Sequence, residues 1–207
     1  RFATLLARRL RHEPLAYIVG HREFYGIDIE CGPGALIPRP ETEMLVEIAL
    51  DEVRRRGSGL RIADVGTGSG AIAVAIAANA PGAHVTAIDA SDAALSVARR
   101  NVDRGGVAGR VELRLGDLLV GQGAFDVIVA NLPYVCAADW EALAPEIREF
   151  EPREALVGGV RGTEAIERLL QQAPAHLASG GVLAAEIGDM QGAWLTAAAG
   201  DCFPDDE

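Results

Sequence analysis

Long apolar runs, paired cysteines and an excess of positive charge are all missing from this chain, and each absence narrows what it can do. No stretch reaches the roughly 18 apolar residues that a membrane span needs. The first ten residues carry arginines on both sides of a very short apolar run, unlike a secretory leader. Cys31, Cys136 and Cys202 are odd in number, far apart and without Cys-x-x-Cys spacing. Neither a disulfide framework nor a zinc site is indicated, and a reducing cytoplasm is the expected compartment. Against 30 acidic residues stand 19 basic ones, a net charge of -11. Such a balance repels a phosphate backbone and leaves little for counterion release to act on, so broad nucleic-acid binding is disfavoured and the acidic excess serves solubility. No internal repeat or low-complexity segment is present.

Nearly half of the 207 positions are apolar, enough to bury the core of one sizeable domain. "RFATLLARRL" reads as the end of an amphipathic helix, with Phe2, Leu5, Leu6 and Leu10 on one side and arginines on the other. Since the chain begins at Arg1 without a methionine, residues 1–20 are expected to be the end of an N-terminal helical domain. Phe24 to Glu30 alternates apolar and polar residues before the Gly-Pro-Gly of "CGPGALIPRP", which predicts a short hairpin linker over 21–38. The main domain then covers 39–207. Pro40 suits a first helical turn, Glu41 and Glu43 favour its dipole, and that helix should run to about Arg56.

Periodicity predicts strands at 61–65, 84–88, 111–115, 125–130 and 182–187, and helices at 69–79, 91–103 and 162–177. Alternating strands and helices mean an α/β fold, a mostly parallel sheet covered on both faces. "DCFPDDE" stops soon after a further helix, so closing strands are expected to be absent from this chain. The stretch from Asn131 to about Val160 has no clear period and is long for a connection, which makes it a candidate functional loop.

"ADVGTGSGA" sets Gly66, Gly68 and Gly70, with Thr67 and Ser69 between them, at a strand-to-helix turn where a ligand can approach exposed amides. A nucleotide-like cofactor is the natural occupant. Because Ala71 can fill the last place of a G-x-G-x-x-G/A fingerprint and Asp89 lies 23 residues beyond Gly66, the turn alone leaves a dinucleotide open. Asp89 ends "VTAID", where a carboxylate can take two ribose hydroxyls, while Ser91 or Asp92 can cap the next helix. Asp64 and Asp117 end strands on the same side of the sheet. With the glycines they outline one pocket.

The run "VIVANLPYV" begins as a buried strand and breaks into Asn131-Leu132-Pro133-Tyr134. Asn131 offers an acceptor oxygen and an NH2 donor, Pro133 constrains the carbonyl before it, and Tyr134 supplies a flat apolar face. The set matches a planar NH2 group on an amide or a nucleobase. An ordinary strand-ending turn is the alternative.

A glycine turn after the first strand, an acid after the second and Asn-x-Pro-Tyr after the fourth resemble the Rossmann-like class I methyltransferases, which use S-adenosyl-L-methionine and modify planar nitrogens. Those enzymes usually show Asn-Pro-Pro-Tyr, and Asn-Leu-Pro-Tyr is also similar to the elbow of ribosomal RNA adenine-N6 dimethyltransferases. The flanks "EPLAYIVGHREFYG", "LIPRPETE" and "FEPREALVGGVRG" resemble the peptide-chain release factor glutamine-N5 methyltransferases. The matching blocks span Glu13 to about Gly188 in that family's order.

The resemblance implies methyl transfer to the side-chain amide nitrogen of the glutamine in the Gly-Gly-Gln motif of a class I release factor, with S-adenosyl-L-homocysteine as product. It places Gly66, Thr67, Gly68, Ser69 and Gly70 around the methionine part of the cofactor above Asp64. Asp89 falls at the ribose, and Asp117 with Leu118 at the adenine, where a leucine stacks less well than the family's frequent aromatic. Asn131 would lie between cofactor and substrate, with Leu132, Pro133 and Tyr134 completing the amide site and Arg39, Glu41 and Glu151 at its entrance. No metal, membrane or direct nucleic-acid partner is expected. An adenine-N6 methyltransferase acting on RNA or DNA would share the elbow but should carry a basic groove. A nucleotide-binding oxidoreductase or non-catalytic module would leave Asn131 to Tyr134 without a role.

Overall fold

A computed structural model describes residues 2–203. Arg1 and Pro204 to Glu207, part of the tail on which the expectation of absent closing strands rests, lie outside the described residues. Helices α1 (Phe2–Arg9) and α2 (Leu15–Val19) lead into a hairpin of β1 (His21–Phe24) and β2 (Ile27–Glu30). Phe2 and Leu6 of α1 and the adjoining Leu10 stay exposed. The hairpin turns at Tyr25-Gly26, within the alternating run, because both residues adopt the left-handed φ (51° and 73°) of a two-residue turn that matches strand twist.

Phe24 and Ile29 of the hairpin are buried in the main core. Asn101 ties its end down: the side-chain oxygen accepts from the Glu30 N–H (2.7 Å), and Nδ2 donates to the carbonyls of Glu30 (3.1 Å) and Ser69 (2.9 Å). One amide therefore joins the hairpin to the glycine turn. Beyond it a 3-10 turn, Pro40–Thr42, opens α3 (Glu43–Arg56).

The remaining chain alternates β3 (Arg61–Val65), α4 (Ala71–Asn79), β4 (His84–Asp89), α5 (Asp92–Arg104), β5 (Val111–Leu115) and β6 (Phe125–Asn131). After β6 come β7 (Val135–Cys136), α6 (Pro145–Arg148), β8 (Val157–Gly159), α7 (Glu164–His176), β9 (Leu177–Glu186) and α8 (Gly192–Cys202). The central sheet has the order β5-β4-β3-β6-β9, all parallel. The chain winds outward from β3 and then returns to its other side. The crevice of an open α/β sheet lies at such a reversal, outside the carboxyl ends of β3 and β6.

Alternate side chains of each strand serve opposite layers. Ile62, Val85, Val127 and Val129 face α3 and α4 with the hairpin, whereas Ala63, Val65, Ile128 and Ala130 face α7, with Trp194 and Leu195 of α8. Burial on both faces is why the central strands read as unbroken apolar runs. Helix α4 is buried along Ala71 to Ala77 and so shows no polar stripe.

Strand β9 begins at Leu177, earlier than periodicity indicates, because the Gly180-Gly181 irregularity between the pairs Phe125↔Leu177 and Val127↔Val182 hides its first half. The segment after β6 is ordered locally: β7 and β8 pair in parallel, with 3-10 turns and α6 between them. No helix among the described residues is long and apolar enough to cross a membrane.

Candidate active site

Asp64, the fourth residue of β3, is fully buried under the glycine turn. Its Oδ2 accepts from the Thr67 hydroxyl (2.5 Å) and the Ala73 N–H (3.1 Å), bracing the turn from below, while Oδ1 has no partner among the described residues. Burial pushes its pKa up to about 7 against the pull of those two donors. The Gly66 and Thr67 N–H groups both donate to the Ile88 carbonyl (2.9 and 3.0 Å), which holds the turn against β4. Gly70, at φ 79°, begins α4 with no capping side chain and packs so tightly that a Cβ would sit 3.1 Å from that of Ala98.

Asp89 bridges the turn and α5: Oδ2 accepts from the Gly68 N–H (2.8 Å) and Oδ1 from the Ser91 N–H (2.9 Å). Each oxygen keeps a lone pair. Ser91 takes the helix cap itself, its hydroxyl accepting from the Ala94 N–H at 3.2 Å. Burial raises the Asp89 pKa, opposed by the N–H donors of Gly68 and Ser91.

Above the turn opens a cavity of about 800 Å³, in the range that holds a cofactor-sized ligand. Gly66 to Ser69, Asp89, Asp117, Leu118 and Asn131 to Pro133 share its wall. Asp117 is paired there with Arg168 of α7. Leu118 holds φ 54°, a strained conformation for leucine, and Leu119 beside it is anchored in the core with its N–H on Gln172 Oε1 (2.9 Å).

The elbow is held residue by residue. Asn131 Nδ2 donates to Thr42 Oγ1 (2.9 Å), and Thr42 donates to Glu186 Oε2 (2.6 Å). The Tyr134 hydroxyl donates to Glu186 Oε1 (3.2 Å), and its pKa is pushed up to about 12, first by burial and then by the Glu186 charge. Leu132 is buried against the glycine turn: a Cβ on Gly66 would lie 2.8 Å from its Cδ2. Gln191 Nε2 donates to the carbonyls of Tyr134 (3.1 Å) and Gly162 (3.2 Å), clipping the elbow to the segment after β8. Asn131 Oδ1 and the Leu132 carbonyl accept no hydrogen bond among the described residues, and Asn131 Oδ1 is not sealed from solvent.

Asp64, Gly70 and Tyr134 stand behind the cavity wall. Arg39 and Glu151 are off it as well, engaged with each other at 2.5 Å, and the second Glu151 oxygen accepts from the Ile37 N–H (2.9 Å). The buried Glu151 thus fastens the strand-like lead into α3 to the segment after the elbow. Thr42, Glu186 and Gln191 were not singled out from sequence. For Glu186 a signal existed: "VLAAE" ends an apolar strand in an acid, as β3 and β4 nearly do. No cluster of three or more His, Cys, Asp or Glu placed to hold a metal occurs among the described residues.

Residues 39–157 match the family model described as ribosomal protein L11 methyltransferase (PrmA). The release factor glutamine methyltransferase of Geobacter sulfurreducens is 46% identical over 186 residues, covering 89% of this chain and 64% of that protein. Its namesake from Cereibacter sphaeroides is 45% identical over 204 residues, covering 97% of this chain and 72% of that protein. The chain therefore spans about two thirds of the length of such relatives. Among solved structures, a ribosomal protein L11 methylase from Lactobacillus delbrueckii subsp. bulgaricus is 26% identical with a TM-score of 0.59, covering 82% of this chain and 72% of that one. The hMettl16 catalytic domain, 16% identical with a TM-score of 0.69 over 96% of this chain and 82% of that one, shares the fold. The L11 match stops at β8, whereas the curated relatives run through nearly the whole sequence, so the chain belongs to the release factor glutamine methyltransferase family.

Proposed function

We propose that this chain transfers a methyl group from S-adenosyl-L-methionine to the side-chain amide nitrogen of the glutamine in the Gly-Gly-Gln motif of a peptide chain release factor. Such a substrate is met in the cytoplasm. The observation that carries the reading is the pair of unengaged acceptors, Asn131 Oδ1 and the Leu132 carbonyl, on the wall that also carries the glycine turn.

The residues present fit the cofactor. The Gly66 to Ser69 turn lines the cavity, Asp89 keeps one lone pair per oxygen for vicinal hydroxyls, and Ala71 and Ile72 present the positive end of α4 to an anionic group. Leu118 offers an apolar surface for a flat base. When bound, S-adenosyl-L-methionine supplies an electrophilic methyl on a sulfonium sulfur.

An amide nitrogen is a weak nucleophile because its lone pair is delocalised into the carbonyl. Asn131 Oδ1 and the Leu132 carbonyl accept its two N–H bonds, fix its direction, and bind more strongly as positive charge develops there. Tyr134, behind the wall, holds the far end of the elbow through Glu186, and its phenol stays neutral. The methylated nitrogen, now strongly acidic, passes its extra proton to water, so positioning and local dipoles carry the reaction with no strong general base required. The net charge of -11 disfavours the adenine alternative.

Methyl transfer from labelled S-adenosyl-L-methionine tests the reading, with a release factor, its Gln→Ala variant and ribosomal RNA as parallel substrates. Label is expected on the unmodified factor alone. Label that persists on the Gln→Ala factor, or appears on RNA instead, overturns it.

A further inference from the structure

We infer that Thr42 and Glu186 are positioning residues that lock the Asn131 amide with its oxygen, and not its NH2, toward the substrate. The inference rests on the function proposed above and assigns a task to two residues that this function does not itself require.

The lock follows from counting hydrogens. A threonine hydroxyl has one hydrogen to give, and a carboxylate can only accept. At 2.6 Å the Thr42 hydroxyl is bonded to Glu186 Oε2, at the short, charge-assisted end of the O–H···O range, so its hydrogen is committed. What Thr42 then presents to Asn131 at 2.9 Å is a lone pair, and only the NH2 of Asn131 can meet it. The Asn131 oxygen must therefore turn the other way. This orientation comes from the network and does not depend on telling oxygen from nitrogen in the side chain.

Two observations set the arrangement apart from ordinary packing. Thr42 closes the 3-10 turn that runs into α3, with helical φ and ψ of -66° and -17°, so the helix end makes no claim on its side chain. The buried hydroxyl is spent on the elbow instead. Glu186 lies directly across from Asn131 in the β6–β9 pairing, and its other oxygen receives the Tyr134 hydroxyl. One carboxylate thus orders both ends of Asn131-Leu132-Pro133-Tyr134. An outward oxygen also selects for chemistry: it welcomes the N–H of an amide and opposes the lone pairs of a carboxylate, so glutamine is accepted and glutamate refused.

Three variants test this. Thr42→Val keeps the shape and deletes the hydroxyl. Thr42→Ser restores the hydroxyl. Glu186→Gln keeps one acceptor oxygen in place of two, so Thr42 and Tyr134 can no longer both donate to it and the Thr42 hydrogen is no longer committed. Thr42→Val and Glu186→Gln are expected to lower kcat by about 100-fold, the cost of a misdirected reacting group, while isothermal titration finds cofactor affinity within about threefold. Thr42→Ser should recover most of kcat. Independently of turnover, the Asn131 side-chain NH2 resonance, identified by its loss in Asn131→Asp, should show a proton protected from exchange in the unaltered protein and unprotected in Thr42→Val.

Wild-type kcat in Thr42→Val, or equal loss in Thr42→Val and Thr42→Ser, would overturn the inference, as would an unprotected Asn131 amide in the unaltered protein. If the unaltered protein shows the protected amide but labels no glutamine, the proposed function fails and the lock stands.

Discussion

Gly158→Ala should cripple methyl transfer without touching a residue of the reaction. Gly158 is buried in β8 beside the elbow on the cavity wall, where a Cβ would fall onto the Pro133 carbonyl oxygen, 2.9 Å from its carbon and 2.7 Å from the Gly162 oxygen. These are backbone atoms with no rotamer to swing aside, and ordinary contact begins at 3.4 Å. Relief by moving Pro133 shifts the elbow by about 1 Å, and an error of that size in a near-attack geometry costs about 100-fold in rate, or roughly 3 kcal/mol of barrier. Relief by moving β8 instead breaks the Val135 N–H to Leu156 carbonyl bond (2.8 Å) and the Gln191 clip. That route costs roughly 1–3 kcal/mol of overpacking and lost bonding. Since kcat is governed by the first route and the melting temperature by the second, both are measured, with Gly109→Ala as control because its Cβ would meet nothing within 4 Å. The expectation is a drop of about 100-fold in kcat, a Tm lowered by roughly 2–10 °C, and cofactor affinity close to wild type. Gly158→Ala with both kcat and Tm unchanged would refute the claim that backbone contact beside the elbow sets its position.

Asn131→Ala should abolish transfer and alter cofactor affinity much less, because the glycine turn and Asp89 are built without it; equal losses in titration and turnover would remove Asn131 from the substrate side. Asp64, with its folded pKa raised to about 7 from 3.8, stabilises the fold fully below about pH 4 and loses that contribution as pH rises through 7. Relative to Asp64→Asn, urea-derived stability of the wild type should therefore fall by roughly 2–4 kcal/mol between pH 4 and pH 8, and parallel curves would contradict the burial of an ionisable carboxyl there. Glu151→Ala strips Arg39 and the Ile37 N–H of their shared partner, and with Arg39 a quarter exposed the expected loss is about 2–3 kcal/mol. If Glu151→Ala costs no more than breaking the exposed Arg54–Asp51 pair, the clasp is not holding those segments together.

The sheet was legible because its physics is local. Val127 to Ala130 read as a central strand since both faces of β6 are buried, and Asp89 with Ser91 announced a strand end and a cap by residue chemistry alone. The entrance roles expected of Arg39 and Glu151 came from the resemblance, and sequence carries no sign that residues 112 positions apart are each other's partners. Thr42 was hidden too: with the helix opening at Pro40 it reads as one more first-turn residue, and nothing local ties its hydroxyl to Glu186, 144 positions on. Gly158 falls in the stretch without a clear period and Gly162 at the expected start of a helix. Their need is visible only once β7 and β8 are laid side by side and the Pro133 and Tyr134 carbonyls occupy the space of a missing Cβ.

Those hidden contacts explain how a four-residue bend could act by position alone in the proposed reaction. A loop of this length left to itself would sample many conformers, each costing orientation of the reacting amide. Here Leu132 bears on Gly66 in front, Pro133 on Gly158 alongside, Asn131 is fixed through Thr42, and Tyr134 through Glu186 and Gln191. The front contact also joins the elbow to the glycine turn, so the acceptor oxygens and the cofactor's surroundings move as one body. Leucine at the second place of the elbow gives less backbone stiffness than a proline there would, and its buried side chain on Gly66 supplies packing instead. The rigidity is thus assembled from parts far apart in sequence, each of which can be removed singly while the two catalytic acceptors remain in place.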